Sequence, residues 1–469
     1  MIRLFKLEYL TILLLFAIWG SLDSNIESVL SIFSTLTIFS FVDLFSILRT
    51  LGPYVIFVIY IFFYYKRLRL KTSSRNLNFI LTILVLNFLI QLIASCVYQN
   101  YTLLINLNLI LLSCISLALL IIEFNFGNSK KVLVFSWFIL FLIFMWFSSI
   151  MFLWFFSDKN SVANLYHGWP HSFLVIEGLT ENIPRSSGIG RTALILSIPI
   201  MLSLLIKKKI NILLYFFYNY SFFIILTTQS RIVLLGFFLF ICVTIFYLGT
   251  LKQNPIIKIK KICLIILIPI VFFVIMISLK TFQLENKNIL KLENKNILKL
   301  ENKNILKLEN KNVLKGNERD PLYNKFIRPS DPVSFTSNRY TDWQEILKRN
   351  SNILLGNGAM GDRWIVNQSA SNLILYNYAS SGIVGVFLFA LLLFRSFFIC
   401  SKIILFDEKK INYNNYVLLS ACYIQFFLMG RSLVESSFAV FGIDFLVFFS
   451  AYFFTEQYCH KQKLVKKNN

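Results

Sequence analysis

Apolar residues along this chain come in blocks. Runs of roughly 17 to 25 residues, each long enough to cross a ~30 Å hydrocarbon layer as a helix, recur from end to end between short polar joints. Basic residues collect on the cytoplasmic side of such joints. Lys66, Arg67, Arg69, Lys71 and Arg75 form the first strong inner cluster; Lys130 and Lys131, Lys207 to Lys209, Lys252 to Lys261, and Lys402 to Lys410 mark later ones. Threaded through these markers, the pattern predicts spans near Leu77–Val97, Thr102–Ile122, Val132–Phe156, Ile189–Ile206, Ile210–Thr227, Ile232–Leu248, Ile262–Leu279, Asn372–Cys400, Tyr416–Gly430 and Phe438–Phe454. Met1–Gly20 reads as an uncleaved first helix. Ile26–Tyr65 holds more apolar sequence than one span uses, interrupted by Asp43, Arg49 and Pro53, and reads as a tilted or interfacial segment.

The expected fold is therefore all-α and polytopic, with about twelve transmembrane helices and both termini cytoplasmic. Residues 1–131 hold the N-terminal helices; 132–279 hold further helices and a first periplasmic loop at 157–188. Residues 280–371 form one large periplasmic loop, 372–455 the C-terminal helices, and 456–469 a basic cytoplasmic tail. Inside the large loop, Leu284–Lys315 is four near-identical copies of an octapeptide, LENKNILK, the last reading LENKNVLK. An eight-residue period turns the helical face by about 80° per copy, so no continuous apolar stripe forms. The repeats read as a low-complexity insertion.

Composition agrees with a membrane solvent: 57% of the 469 residues are hydrophobic and only 15% charged, with mean hydropathy +0.68. A water-soluble chain has no core large enough to hide that surface. The formal charge of +23 would raise the question of nucleic acid in a soluble protein; here its placement between apolar runs reads as topology, and as attraction to anionic lipid or a phosphorylated substrate. The seven cysteines show no CxxC pair, so neither a disulfide framework nor a zinc site is read. His167 and His171 are four apart, but Gly168 and Pro170 between them argue against a helical metal pair. No metal and no cofactor are expected.

Chemistry is expected at the outer boundary. Four segments stand out there: Pro184-Arg185-Ser186-Ser187-Gly188, Thr228-Gln229-Ser230-Arg231, Ser337-Asn338-Arg339 with Trp343, and Leu355-Gly356-Asn357-Gly358. A fifth follows, Asn372 and then Gly382-Ile383-Val384-Gly385. In this order, over roughly Val132 to Cys400, they resemble the O-antigen ligase and polymerase family of bacterial lipid-linked glycan enzymes. That family carries a His before the Asn; Ser371 stands in its place here. The resemblance implies metal-independent glycosyl transfer from an undecaprenyl-pyrophosphate-linked oligosaccharide at the outer face of the cytoplasmic membrane. It also implies membrane lipid and other envelope glycan-assembly proteins as partners.

Side-chain chemistry supplies roles. Arg presents a planar, permanently charged fork to phosphate oxygens, so Arg185, Arg231 and Arg339 are the candidates to hold the pyrophosphate and stabilise it as it leaves. Asn372, Trp343, Gly356 and Gly358 are the candidate substrate contacts, Asn372 being equally suited to cap the helix that follows. Arg191 and Arg431 read as helix-end charges that fix span position. With Ser371 unable to act as a base near neutral pH, Asp342, Glu345 and Asp362 in the large loop, or Glu177 and Glu181 in the smaller one, are the candidate proton acceptors. A ligase delivering finished glycan to a lipid A core, and, from other classes, a lipid-linked sugar flippase or an envelope scaffold, are the alternatives to a polymerase.

Overall fold

A computed structural model describes residues 12, 15, 54–59, 75–97, 103–126, 128–155, 186–206, 211–227, 231–250, 255–279, 282, 339–350, 352–366, 370, 372–406, 416–435, 438 and 442–468. The octapeptide repeats, most of residues 157–188 and 280–371, Arg185 and Ser371 lie outside them. Among the described residues every regular element is helical. In chain order these are α1 (Arg75–Val97), α2 (Leu103–Phe126), α3 (Ser129–Phe155), α4 (Ser186–Ile206), α5 (Ile212–Thr227), α6 (Arg231–Thr250) and α7 (Pro255–Ile262). After the loop come α8 (Arg339–Arg349), α9 (Gly361–Val366), α10 (Leu373–Phe406), α11 (Tyr416–Ser432) and α12 (Ile443–Asn468).

The direction of amphipathicity identifies the solvent. On α3 the residues four apart, Val134, Phe138, Leu142 and Trp146, all face outward, with Phe138 51% and Trp146 70% exposed. The other side of the same helix buries Leu133, Trp137, Leu140 and Phe144. Both faces are apolar, which only a hydrocarbon surround tolerates over this length. Among the described residues, stretches of four helices, Ser129–Trp146, Gly188–Leu205, Ile259–Leu279 and Leu373–Ile404, are long and apolar enough to cross a membrane, and four shorter apolar helices accompany them. At the centre is α4, buried almost all round from Ile189 to Leu205 and packed by α3, α5, α6 and α11.

Segment α7 shows how lipid forces every backbone group to find a partner. It runs on through a π-helical turn, Cys263–Leu267, in which the Ile268 N–H reaches back to the Cys263 carbonyl, and then meets Pro269. The Ile268 N–H, drawn back to Cys263, no longer serves the Leu264 carbonyl, and proline has no N–H to give that of Ile265. Two tyrosines of α5 supply the missing donors: Tyr215 donates to the Leu264 oxygen at 3.0 Å and Tyr218 to that of Ile265 at 3.1 Å. Tyr218 is completely buried. Tyr218→Phe is therefore expected to leave an orphaned carbonyl and cost about 1–3 kcal/mol, read as a lower melting temperature of detergent-solubilised protein. Tyr215→Phe, at a half-buried position, should cost less.

Deeper in the bundle α10, α11 and α12 are joined by side-chain hydrogen bonds. Ser396 donates to Gln425 at 2.7 Å and Gln425 to Thr455 at 3.1 Å, while Arg395 pairs with Glu456 at 2.7 Å. Such bonds hold helices together where lipid supplies no hydrophobic drive. Two boundaries differ from the hydropathy reading. The last helix begins at Ile443, not Phe438, and continues through Glu456 to Asn468, so the described part of the basic tail is helix. Its Glu, Gln, Lys and Leu residues are good helix formers even where hydropathy falls.

Candidate functional site

One end of the bundle carries a small lid. It consists of α8, the turn Asn352–Gly361, α9, and the start of α10. A second apolar cluster, Ile346, Ile365, Ala370, Tyr376 and Ala379, packs these pieces together. Asn350 closes α8 by donating its side-chain amide to the Tyr378 carbonyl at 3.0 Å.

The lid turn is built around a break in α10. Gly382 has φ 64° and ψ −163°, a backbone region open essentially to glycine alone. The break leaves the last carbonyls of the first segment and the first N–H of the second without helical partners. The lid turn supplies them. Asn357 and Gly358 donate backbone N–H groups to the carbonyls of Ala379 and Ser380, at 2.7 and 3.0 Å, and the Ile353 carbonyl accepts the N–H of Ile383 at 2.9 Å. So the Gly-x-Gly of the loop and the Gly-Ile-x-Gly of the following helix are two halves of one joint. Gly356 and Gly358 both have positive φ, and a Cβ at Gly358 would overlap Ser95 at the end of α1. The Gly356 N–H is also spent, on the Asn352 carbonyl at 2.8 Å. The turn therefore serves the backbone of α10, its amides directed into the protein.

Beneath the joint lies a polar seam. Asn87, Gln91 and Ser95 fall four apart on α1, one face of a helix, and all are buried against α10. Both amide atoms of Asn87, Ser95 Oγ and Asn377 Oδ1 are buried with no hydrogen-bond partner among the described residues. An Ala at Gly385 would crowd Ser381 and Asn87, so small residues bring the two helices close here.

Beside the lid, charged side chains from three helices converge. Asp444, in the first turn of α12 and 3% exposed, receives Arg191 of α4 at 2.8 Å and also Arg431 of α11, which in turn binds Glu435. Two guanidinium groups and two carboxylates thus balance. Asn372 ties the lid to this cluster. Its Oδ1 accepts the N–H groups of Ile374 and Leu375, at 2.7 and 3.3 Å, as an N-cap of α10, and its Nδ2 donates to the Leu433 carbonyl at 2.8 Å.

The sequence candidates are placed as follows. Arg231 and Arg339 are the first residues of α6 and α8, and Arg185 stands immediately before α4, outside the described residues. Trp343 lies one turn into α8, half-buried, with its indole N–H buried and without a partner among the described residues. Asn372 is a helix cap. Arg191 and Arg431 share a buried carboxylate. Of the candidate proton acceptors, Glu345 pairs on the surface with Arg349 at 3.4 Å, Asp362 is fully buried, and Glu177 and Glu181 lie outside the described residues.

Asp444, Glu435 and the Asn87 seam were missed from sequence. An acid inside an apolar C-terminal segment, and polar residues recurring every fourth position of an apolar helix, are the signals that mark them. No protein-family model matches this chain, and no curated protein matches it. The fold and its apolar exterior define a helical membrane protein.

Proposed function

We propose that this protein is a metal-independent glycosyltransferase of the bacterial cytoplasmic membrane that polymerises glycan repeats carried on undecaprenyl pyrophosphate, a member of the O-antigen ligase and polymerase group. In this reading the chain crosses the membrane about twelve times, both termini are cytoplasmic, and the lid end faces outward, where the lipid-linked donor is displayed.

The observation that supports it best is where the three arginines fall. Each stands at or directly before the first residue of a helix, the end at which backbone N–H groups are unpaired and the helix dipole is positive. The first turns of α4 and α6 contain no acidic residue, whereas that of α8 carries Asp342. A cation at that end works against the dipole by roughly 0.3–1 kcal/mol, and an anion bound there turns the same arrangement into a favourable one. Gly236 of α6 lies against Leu194 of α4 and Phe427 of α11, so the N-terminal turns of α4 and α6 share a layer with Arg191 and Arg431. Those two arginines are neutralised by Asp444 and Glu435. Anion binding then falls to Arg185, Arg231 and Arg339. As the sugar–phosphate bond breaks, charge grows on the departing pyrophosphate, and guanidinium groups already in place favour that state over the ground state.

Deleting the gene and displaying surface glycan on gels tests this reading. The deletion should leave single-repeat glycan; the wild-type gene should restore the ladder, and Arg339→Ala should restore less than about a hundredth of it, the scale of one lost transition-state donor. Full-length polymer accumulating unattached in the deletion would identify a ligase. An unchanged ladder would remove glycan assembly as the role.

A further inference from the structure

A transfer of this kind has a second requirement, a group that takes the proton of the attacking sugar hydroxyl, and the lid contains one carboxylate built differently from the rest. Asp362 sits in the first turn of α9 and is fully buried. Its Oδ2 accepts the backbone N–H of Ala370 at 2.5 Å, shortly before the start of α10 in the chain. Its Oδ1 is equally buried and has no hydrogen-bond partner of standard geometry among the described residues; the backbone N–H groups of Arg363 and of Asp362 itself lie near enough to favour the carboxylate. A purely structural buried carboxylate normally satisfies both oxygens, since each unmet one carries a desolvation cost.

The surroundings are specific. Tyr376 of α10, also buried, belongs to the apolar cluster that packs α9, and its hydroxyl oxygen hydrogen-bonds the backbone of Met360. Met360 has φ 59°, a left-handed conformation that a non-glycine side chain adopts only when its surroundings impose it. The charged and titratable groups on the elements packed against α9 are Arg339, Tyr340, Asp342, Glu345, Lys348 and Arg349 of α8, Tyr376, Tyr378, Arg395, Cys400 and Lys402 of α10, and Arg363 on α9 itself. Of these, Arg363 favours the ionised form of Asp362 through its charge.

Resting on the glycan-transfer reading above, we infer that Asp362 is the general base of this site, its open Oδ1 receiving the proton of the acceptor hydroxyl. The step balances: the acceptor O–H proton passes to Oδ1, and the oxygen's electron pair forms the new bond to the anomeric carbon. The bond from that carbon to phosphate breaks, and its pair leaves with the pyrophosphate, held by arginine. The proton is later released to water. Burial pushes the Asp362 carboxyl up to about 6, against the pull of the Ala370 N–H, which suits a group that must accept a proton near neutral pH.

The test uses full-length protein in liposomes with the undecaprenyl-pyrophosphate-linked single repeats that the deletion strain accumulates. Wild type should extend them with a rate that falls as pH drops through about 6, because only the ionised base accepts a proton. Asp362→Asn keeps the size and an acceptor for Ala370; it should slow extension at least a hundredfold with donor capture on the liposomes unchanged. Asp362→Asn within threefold of wild type, or a wild-type rate flat between pH 5 and 8, overturns the assignment. The wild-type profile decides the matter even if the variant fails to fold. Wild type that extends nothing overturns the glycan-transfer reading, and the base assignment with it; active wild type with active Asp362→Asn overturns the assignment alone.

Discussion

Asp444→Ala is expected to be the most damaging single change in the helical bundle, lowering unfolding free energy by about 3–5 kcal/mol. It removes the carboxylate shared by Arg191 and Arg431 and leaves the Arg431 guanidinium, 6% exposed, in the protein interior without one of the carboxylates it binds. The isolated attraction of such a pair says little about net stability, because burying the charges is itself costly. Removing one partner is different, since the cost of burial stays and the compensation goes. Thermal unfolding of the solubilised protein checks this. A useful contrast is Glu345→Ala, which breaks an exposed pair to Arg349 and should change stability by less than about 1 kcal/mol. If the two variants melt alike, the three-helix cluster is not a structural tie.

The second large effect is expected at Gly382. Any side chain there faces two penalties: a backbone conformation reserved for glycine, and a Cβ that would overlap the Leu354 carbonyl. A neighbour made of main chain cannot rotate aside. Gly382→Ala should therefore detach the lid turn from α10 and expose the amides of Asn357 and Gly358, visible as new protease cleavage between Asn352 and Gly361 and a loss of several degrees in melting temperature. Gly430→Ala serves as the control, because a Cβ there meets nothing within 4 Å and a helical Gly-to-Ala change gains about 0.5–1 kcal/mol. Cleavage equal in both variants would mean that the turn is held by its own side chains.

Much of this architecture was written in hydropathy. The predicted Leu77–Val97 and Tyr416–Gly430 spans lie within two residues of α1 and α11, since apolar blocks bounded by charge leave little choice. Reading α12 was harder: hydropathy stops near Phe454, but a helix already propagating needs only adequate formers to go on. For the site, the sequence identified which residues were unusual and not what they meet. Gly-x-Gly and Gly-Ile-x-Gly were visible as separate motifs; their union is made by backbone hydrogen bonds, which carry no side-chain signature. Asn372 was legible as a sugar contact or a cap alike, Asn before an apolar run being a cap signal; folding makes it the N-cap of α10. Arg191 and Asp444 are 253 positions apart, and no local pattern announces such a pairing. Asp362 looked like any loop carboxylate until folding placed an apolar cluster around it.

Helix α12 carries a mechanical implication. Its 26 residues make a rod about 39 Å long, with Asp444 clamped at one end by α4 and α11. The Arg395–Glu456 pair grips it near mid-length, and its far end is basic. A rod held in this way behaves as a lever with a fulcrum. Tilting it by ten degrees about the Asp444 clamp would sweep the opposite tip through about 6 Å, a displacement larger than the rise of one helical turn. Any rearrangement of the charges beside the lid is thus geared to the far end of this helix by a single piece of backbone.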